Sequence, residues 1–128
     1  MQYVVAAGSN VTGMPQIFTG LTGNPTTPTY TATSVSNFVP TTASQIRILA
    51  ATLGSGAYGT VAPNGSYGTF SGSTVSASNP APVNITSGGG SVQGPQFCDM
   101  VLESSSIYIA SSGGSGVTVC CAGWEDNL

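Results

Sequence analysis

Short runs of alternating apolar and polar residues recur along the chain, separated by clusters of Gly, Pro, Asn and Ser. A two-residue period puts successive side chains on opposite faces of an extended strand, so the runs read as half-buried β-strands and the clusters as turns. On this pattern strands are expected at residues 2–7, 15–19, 29–35, 44–53, 59–61, 68–75, 83–86, 96–103, 106–111 and 117–123. The strongest helical competitor is 42–53, because Ala and Leu are good helix formers. Ile46, Ile48 and Ala50 against Arg47 and Leu49 fit the strand period as well, and a strand is expected there.

The pattern is clearest in the C-terminal third. Phe97, Asp99, Val101 and Glu103 share one face of their strand, and Cys98, Met100 and Leu102 share the other, which reads as the buried one. A Ser104-Ser105 turn leads to Ile107 and Ile109 on one face with Tyr108 opposite, and a second turn at 112–116 leads to Val117, Val119 and Cys121 alternating with Thr118 and Cys120. A three-strand meander is expected. The middle, 54–94, is rich in Gly, Ser, Pro and Asn, with Tyr58, Tyr67 and Phe70 as large anchors, and reads as long loops at one end of a sandwich. Asn64-Gly65 within it is a two-residue hairpin signal, and the Tyr-Gly-Thr triplets at 58–60 and 67–69 are candidate arms of that hairpin. Gly88-Gly89-Gly90 reads as a flexible turn.

Charge changes the picture most. Of 128 residues, 4% are charged, against roughly 25% in an ordinary soluble domain. Arg47 is the sole cation and Asp99, Glu103, Glu125 and Asp126 are the anions, for a net charge of −3. Nucleic acid is excluded as a partner, because binding it takes several cations that neutralise phosphates and release counterions. So few charges leave little to keep copies apart in solution, and a hydroxyl and amide surface costs less to desolvate than a charged one; both favour self-association. The N-terminal MQYVVAAGSN has no basic region followed by a long apolar core, so no targeting signal is expected. The longest mainly apolar stretch, 46–53, is interrupted by Arg47 and Thr52 and falls far short of the roughly 20 residues of a membrane helix, so no membrane partner is expected either.

Catalytic chemistry is poorly supplied. The chain has no His and no Lys, so the common activating bases for a Ser or Cys nucleophile are missing. Asp99 and Glu103 are the nearest candidates for a glycosidase pair, but four residues along a strand separate them by about 13 Å, too far for that chemistry. The three cysteines, Cys98, Cys120 and Cys121, come without His, and the adjacent pair points to opposite faces of a strand; neither a metal nor a cofactor is expected. They read as small apolar residues of a reducing compartment, with a disulfide from Cys98 to one of the pair left open. Arg47 has two readings, a solvated residue on an outward strand face or an interface anchor paired with Asp99 or Glu103. Trp124, followed by Glu125 and Asp126, likewise reads as a cap on the core before a solvated end or as an anchor for a neighbour's basic patch. Asn-x-Ser/Thr triplets at Asn10, Asn64 and Asn84 are expected by chance in a chain this rich in Ser and Thr.

The strand-like Tyr3 to Ala7 followed by Gly8-Ser9-Asn10-Val11-Thr12, and the run Leu102-Glu103-Ser104-Ser105-Ser106-Ile107-Tyr108-Ile109-Ala110-Ser111 to Val117-Thr118-Val119, resemble small virion structural proteins of tailed phages. These are the β-sandwich modules that serve as capsid cement or decoration proteins and as neck or fibre accessories. The resemblance covers about a third of the chain and carries no catalytic residue. With the strand pattern, it implies an all-β, antiparallel β-sandwich, jelly-roll-like, of about eight strands in a single domain over 1–128. It implies a non-enzymatic homo-oligomer, a trimer, bound to the major capsid protein on the outside of a virion assembled in the host cytoplasm. Tyr3, Phe18, Phe38, Tyr58, Tyr67 and Trp124 are the expected aromatic anchors of its interfaces, with Arg47 beside them. A neck, tail or head-fibre role is the structural alternative. A carbohydrate-binding module, stacking sugars on aromatics of the 54–94 loops, is the alternative from another class.

Overall fold

The alternation resolves into nine strands in a computed structural model, which describes residues 2–3, 14–71, 74–76, 78–87 and 96–126. They are β1 (Gln2–Tyr3), β2 (Gln16–Gly20), β3 (Thr31–Ser34), β4 (Ala43–Thr52), β5 (Tyr58–Ala62), β6 (Val83–Thr86), β7 (Gln96–Val101), β8 (Ser106–Ser112) and β9 (Val117–Asp126). No helix occurs among the described residues, and the 42–53 run is strand, as its two-residue period predicts.

All pairings are antiparallel and form two sheets. The larger runs β9-β4-β7 with β1 and β2 end to end along the outer edge of β9; the smaller runs β3-β8-β5-β6. The nesting is regular: β1 and β2 pair with β9, β3 with β8, β4 with β7 and β5 with β6. A chain folded back on itself between β5 and β6 and then rolled up gives this order, with β1 and β2 as one interrupted strand. The result is the eight-strand jelly roll, a sandwich of two Greek keys.

That nesting overturns the C-terminal meander. β7 and β9 both flank β4 in the larger sheet, whereas β8 lies in the smaller sheet between β3 and β5. The turns at 104–105 and 112–116 therefore carry the chain across the sandwich, not along one sheet. The Asn64-Gly65 hairpin is also absent. Asn64 Oδ1 accepts from the Ser66 amide at 2.8 Å, a local Asx turn, but β5 pairs with β6 and β8, and 68–75 contributes just a Phe70–Val75 bridge among its described residues. The two Tyr-Gly-Thr triplets are consequently not paired arms. Residues 4–7 of the first expected strand, the segment 8–12 after it and the 88–90 glycines lie outside the described residues.

The core lies where the inward faces meet. Ile46, Ile48 and Ala50 of β4, Met100 of β7 and Val117, Val119 and Cys121 of β9 face Ile107 and Ile109 of β8, Val61 of β5 and Val83 and Ile85 of β6. Each such side chain contributes about 1.5–3 kcal/mol through the apolar surface it withdraws from water. Buried polar atoms without a partner work against this, on Thr52, Thr60, Asn84 and Trp124 among the described residues. Thr52, at the end of β4, is 2% exposed and its Oγ1 has no hydrogen-bond partner. A buried hydroxyl without a partner loses its hydration for nothing, so Thr52→Val, which keeps the shape, is expected to stabilise the fold by about 1 kcal/mol. Thermal unfolding checks this: Tm should rise by a few degrees, and a fall would show that the hydroxyl is satisfied in solution.

Candidate functional site

The outward face of the larger sheet holds the charge pair and the most exposed large apolar side chains of β9, β4 and β7. On β7 the residues opposite the buried Met100 are Phe97, Asp99 and Val101, with Phe97 59% and Val101 55% exposed. β4 adds Gln45, Arg47 and Leu49, which stand in register with Val101, Asp99 and Phe97 respectively. On the other flank, Leu49 is opposite Cys120, and Arg47 is opposite Gly123. A bulge sits here, where the register shifts between Arg47 and Ile48, and Gly123 leaves the guanidinium room on that side.

Arg47 uses the position for a two-pronged contact. Its Nε donates to Asp99 Oδ1 at 2.7 Å and its Nη2 to Asp99 Oδ2 at 3.0 Å. The hydrogen bonds from the guanidinium, with its positive charge, hold the Asp99 carboxyl below its ordinary pKa. Around the pair is a shallow depression of about 350 Å³ lined by Met14, Arg47, Phe97, Cys98, Asp99 and Ala122. Of the two readings of Arg47, the structure brings together both halves: an outward face and an ion pair, with Asp99 as the partner and not Glu103.

Both side chains remain partly solvated, 30% and 41% exposed, so the pair contributes modestly, under about 1 kcal/mol. Its pH dependence has a definite sign. A carboxyl whose folded pKa is depressed contributes stability above its unfolded pKa, about 4, and loses it as pH falls through the folded value. Arg47→Met should therefore flatten the acid limb of a Tm-versus-pH profile below pH 4 relative to the parent and leave the limb above pH 5 parallel. Parallel curves throughout would mean that the pair does not form in solution.

The remaining candidates are spread apart. Glu103 accepts from Asn64 Nδ2 at 2.9 Å, and Asp126 accepts from Thr42 Oγ1 at 3.0 Å. Trp124 packs its ring on the core, as the capping reading has it, and lies between Gln2 and Ile46; the expected solvated end after it is still strand, since β9 continues through Asp126. Phe18 and Phe38 are also half-buried against the core. Tyr58 meets Phe70 edge to face at 6.0 Å and shares a 3.0 Å hydrogen bond with Thr26 Oγ1; Tyr67 is half-buried and Phe70 buried. Of Tyr3 the structure describes the backbone, paired with Gly123. The expected anchors whose side chains are described are thus largely occupied in packing, while Phe97 is exposed. Its outward orientation is legible in the alternation of 97–103, where it shares a face with Asp99 and Val101.

The cysteines are all free thiols. Cys98 and Cys121 stand on either side of Ile48, two strand spacings or about 9.6 Å apart, beyond the roughly 7 Å a disulfide spans, which closes the open disulfide option for that pair. Burial pushes all three thiols up in pKa, with Asp99 adding to the effect at Cys98, so they stay protonated and weakly nucleophilic. No three His, Cys, Asp or Glu side chains cluster among the described residues. What the face offers is a binding surface: an apolar rim, a neutralised charge pair and half-buried Gln and Thr at its borders. Comparison with protein-family models, with curated proteins and with solved structures gives no match.

Proposed function

We propose that this chain is a structural protein of a phage particle, of the cement or decoration type, which binds the outside of the capsid, contacts further copies of itself and stabilises the shell. The observation that carries the reading is the outward face of the larger sheet, where Phe97 and Val101 stand exposed around the neutralised Arg47–Asp99 pair on a chain with 4% charged residues. Desolvating such a face costs little, and a buried aromatic ringed by polar groups is the usual core of a protein interface. A module that binds the assembled shell better than free subunits stabilises it by mass action, with no reaction required.

The jelly roll serves both capsid proteins and lectins, so the fold alone does not choose between protein and sugar as the partner. The aromatics do favour one. Tyr58, Tyr67 and Phe70, on which a sugar platform in the 54–94 loops would depend, are half-buried or buried, and the exposed Phe97 is on β7, outside those loops.

The test is to mix the purified chain with capsids that lack it and to measure binding stoichiometry and the shell's melting temperature. Saturable binding with a raised shell Tm is expected, and Phe97→Asp should weaken binding by about tenfold or more, as loss of a central anchor does. Absence of binding and of any shift by the parent chain would refute the reading.

A further inference from the structure

We propose that the outer edge of β7, which no described strand covers, is a self-docking edge, which pairs with β7 of a second copy about a two-fold axis and joins the two larger sheets into one. The inference rests on the assembly reading above and names one of its partners, a second copy of this chain.

Hydrogen-bond parity identifies which groups the edge offers. The Leu102 amide donates to Ser44 O at 2.9 Å, so in this antiparallel register Met100, Cys98 and Gln96 are the residues that exchange hydrogen bonds with Ile46, Ile48 and Ala50. Phe97, Asp99 and Val101 therefore aim their N–H and C=O groups away from β4, towards an edge that no described strand covers. A 3.6 Å contact from Cys98 Sγ to Asp99 O is the one interaction recorded there among the described residues.

Edges of this kind are normally blunted by Pro, Lys, bulges or short length. The other edges of this sandwich are. β3 and β6 have four residues each, and β2 is broken by a register shift between Gln16 and Phe18. β7 has six residues in unbroken register with β4, without Pro, Gly or a cation. Its single charge, Asp99, would be a guard if unpaired, but Arg47 of the neighbouring strand neutralises it.

Chemistry also selects the register. With Asp99 on the axis, Phe97 of each copy lies opposite Val101 of the other, an aromatic against a β-branched side chain, which is a favourable cross-strand pair. Facing carboxylates would repel on their own. Here each is held by its own guanidinium, so the row across the joint reads Arg47, Asp99, Asp99, Arg47 and carries no net charge. Each of the Phe97–Val101, Asp99–Asp99 and Val101–Phe97 pairs then exchanges two backbone hydrogen bonds.

Amide hydrogen exchange by NMR, combined with sedimentation of the full chain, tests this. A concentration-dependent dimer is expected, in which the amides of Phe97, Asp99 and Val101 gain at least tenfold protection between dilute and concentrated samples while those of Cys98 and Met100 do not change. Val101→Lys should weaken the dimer at least tenfold with strand content retained. Phe97→Lys is the substitute if that variant does not fold, and the amide pattern needs no variant. A monomer at the highest concentrations, a mass of three copies, or a dimer whose alternate amides show no gain would overturn the edge. Capsid binding is read separately: a monomer that still saturates capsids removes the edge pairing and leaves the assembly reading, and a dimer that ignores capsids does the reverse.

Discussion

Ile48→Ala is expected to destabilise the fold by about 4 kcal/mol, near the upper end for aliphatic truncations in closed cores. Ile48 is fully buried in the middle of β4, with Cys98 on one neighbouring strand and Cys121 on the other. Both flanking strands are tied to β4 by ladder hydrogen bonds, so the backbone cannot move in to fill the space that the lost methylenes leave. The penalty is therefore the lost transfer energy plus an almost unrelieved cavity. A domain of this size has about 5–15 kcal/mol in total, so a large fraction of its stability should go, with a fall in Tm of about 10 °C or more. Urea unfolding followed by circular dichroism and by Trp124 fluorescence is the measurement. Ile48→Val, which removes a single methyl, should cost about 0.5–1.5 kcal/mol. A loss below 1 kcal/mol for the alanine variant would mean that the two sheets do not close over this residue.

The second large effect is expected at Gly116→Ala, about 3 kcal/mol or more, from two independent causes. Gly116 ends the turn between β8 and β9 with φ +87°, in the left-handed region, where a side chain costs about 1–2 kcal/mol. An added Cβ would also run into the Gly20 carbonyl and the Leu21 amide. Relief would require β2 to part from β9 where Gly20 pairs with Val117, and would pull on the 2.8 Å bond from the Leu53 amide to Gly116 O. Gly56→Ala separates the causes. Gly56 has φ +74° with open space around its would-be Cβ, so it should cost about 1 kcal/mol, the backbone strain alone. Equal losses at the two positions would show that β2 does not lie against the turn.

Both predictions depend on contacts between residues distant in sequence, and that is where reading from the sequence reached its limit. The strand at 83–86 was legible to the residue, and those at 44–53 and 106–111 nearly so, because alternation of Ile, Val and Ala with polar residues is a local signal. So was the division of β7 into a Met100 face and a Phe97 face. Strand partners were not. Neighbouring strands pair often enough to make a meander the natural expectation for 96–123, but backbone ladder hydrogen bonds are blind to side-chain identity and β8 found β3 and β5 in the opposite sheet. The 68–75 run shows the converse: its β-branched and aromatic residues form a bridge between Phe70 and Val75 and no strand among the described residues.

The candidate site divides in the same way. Arg47 was singled out by its rarity and Asp99 and Glu103 as its possible partners, but choosing Asp99 took the β4–β7 register, which places it directly opposite. Most of the expected aromatic anchors are spent on packing, because a large ring in a small domain gains more from burial than from waiting for a partner. Phe97 escapes that fate by parity, since Cys98 and Met100 on the same strand already claim the inward face.

By itself, the sequence determined that the chain's regular elements are strands, which face of each main strand is greasy, and that its surface is almost without charge, because periodicity and composition act residue by residue. Tertiary structure alone decided which strands meet, where the lone guanidinium finds its carboxylate and which edge no described strand covers. Those outcomes depend on how a folded-back ribbon rolls up, and that is a property of the whole chain and of no single segment of it.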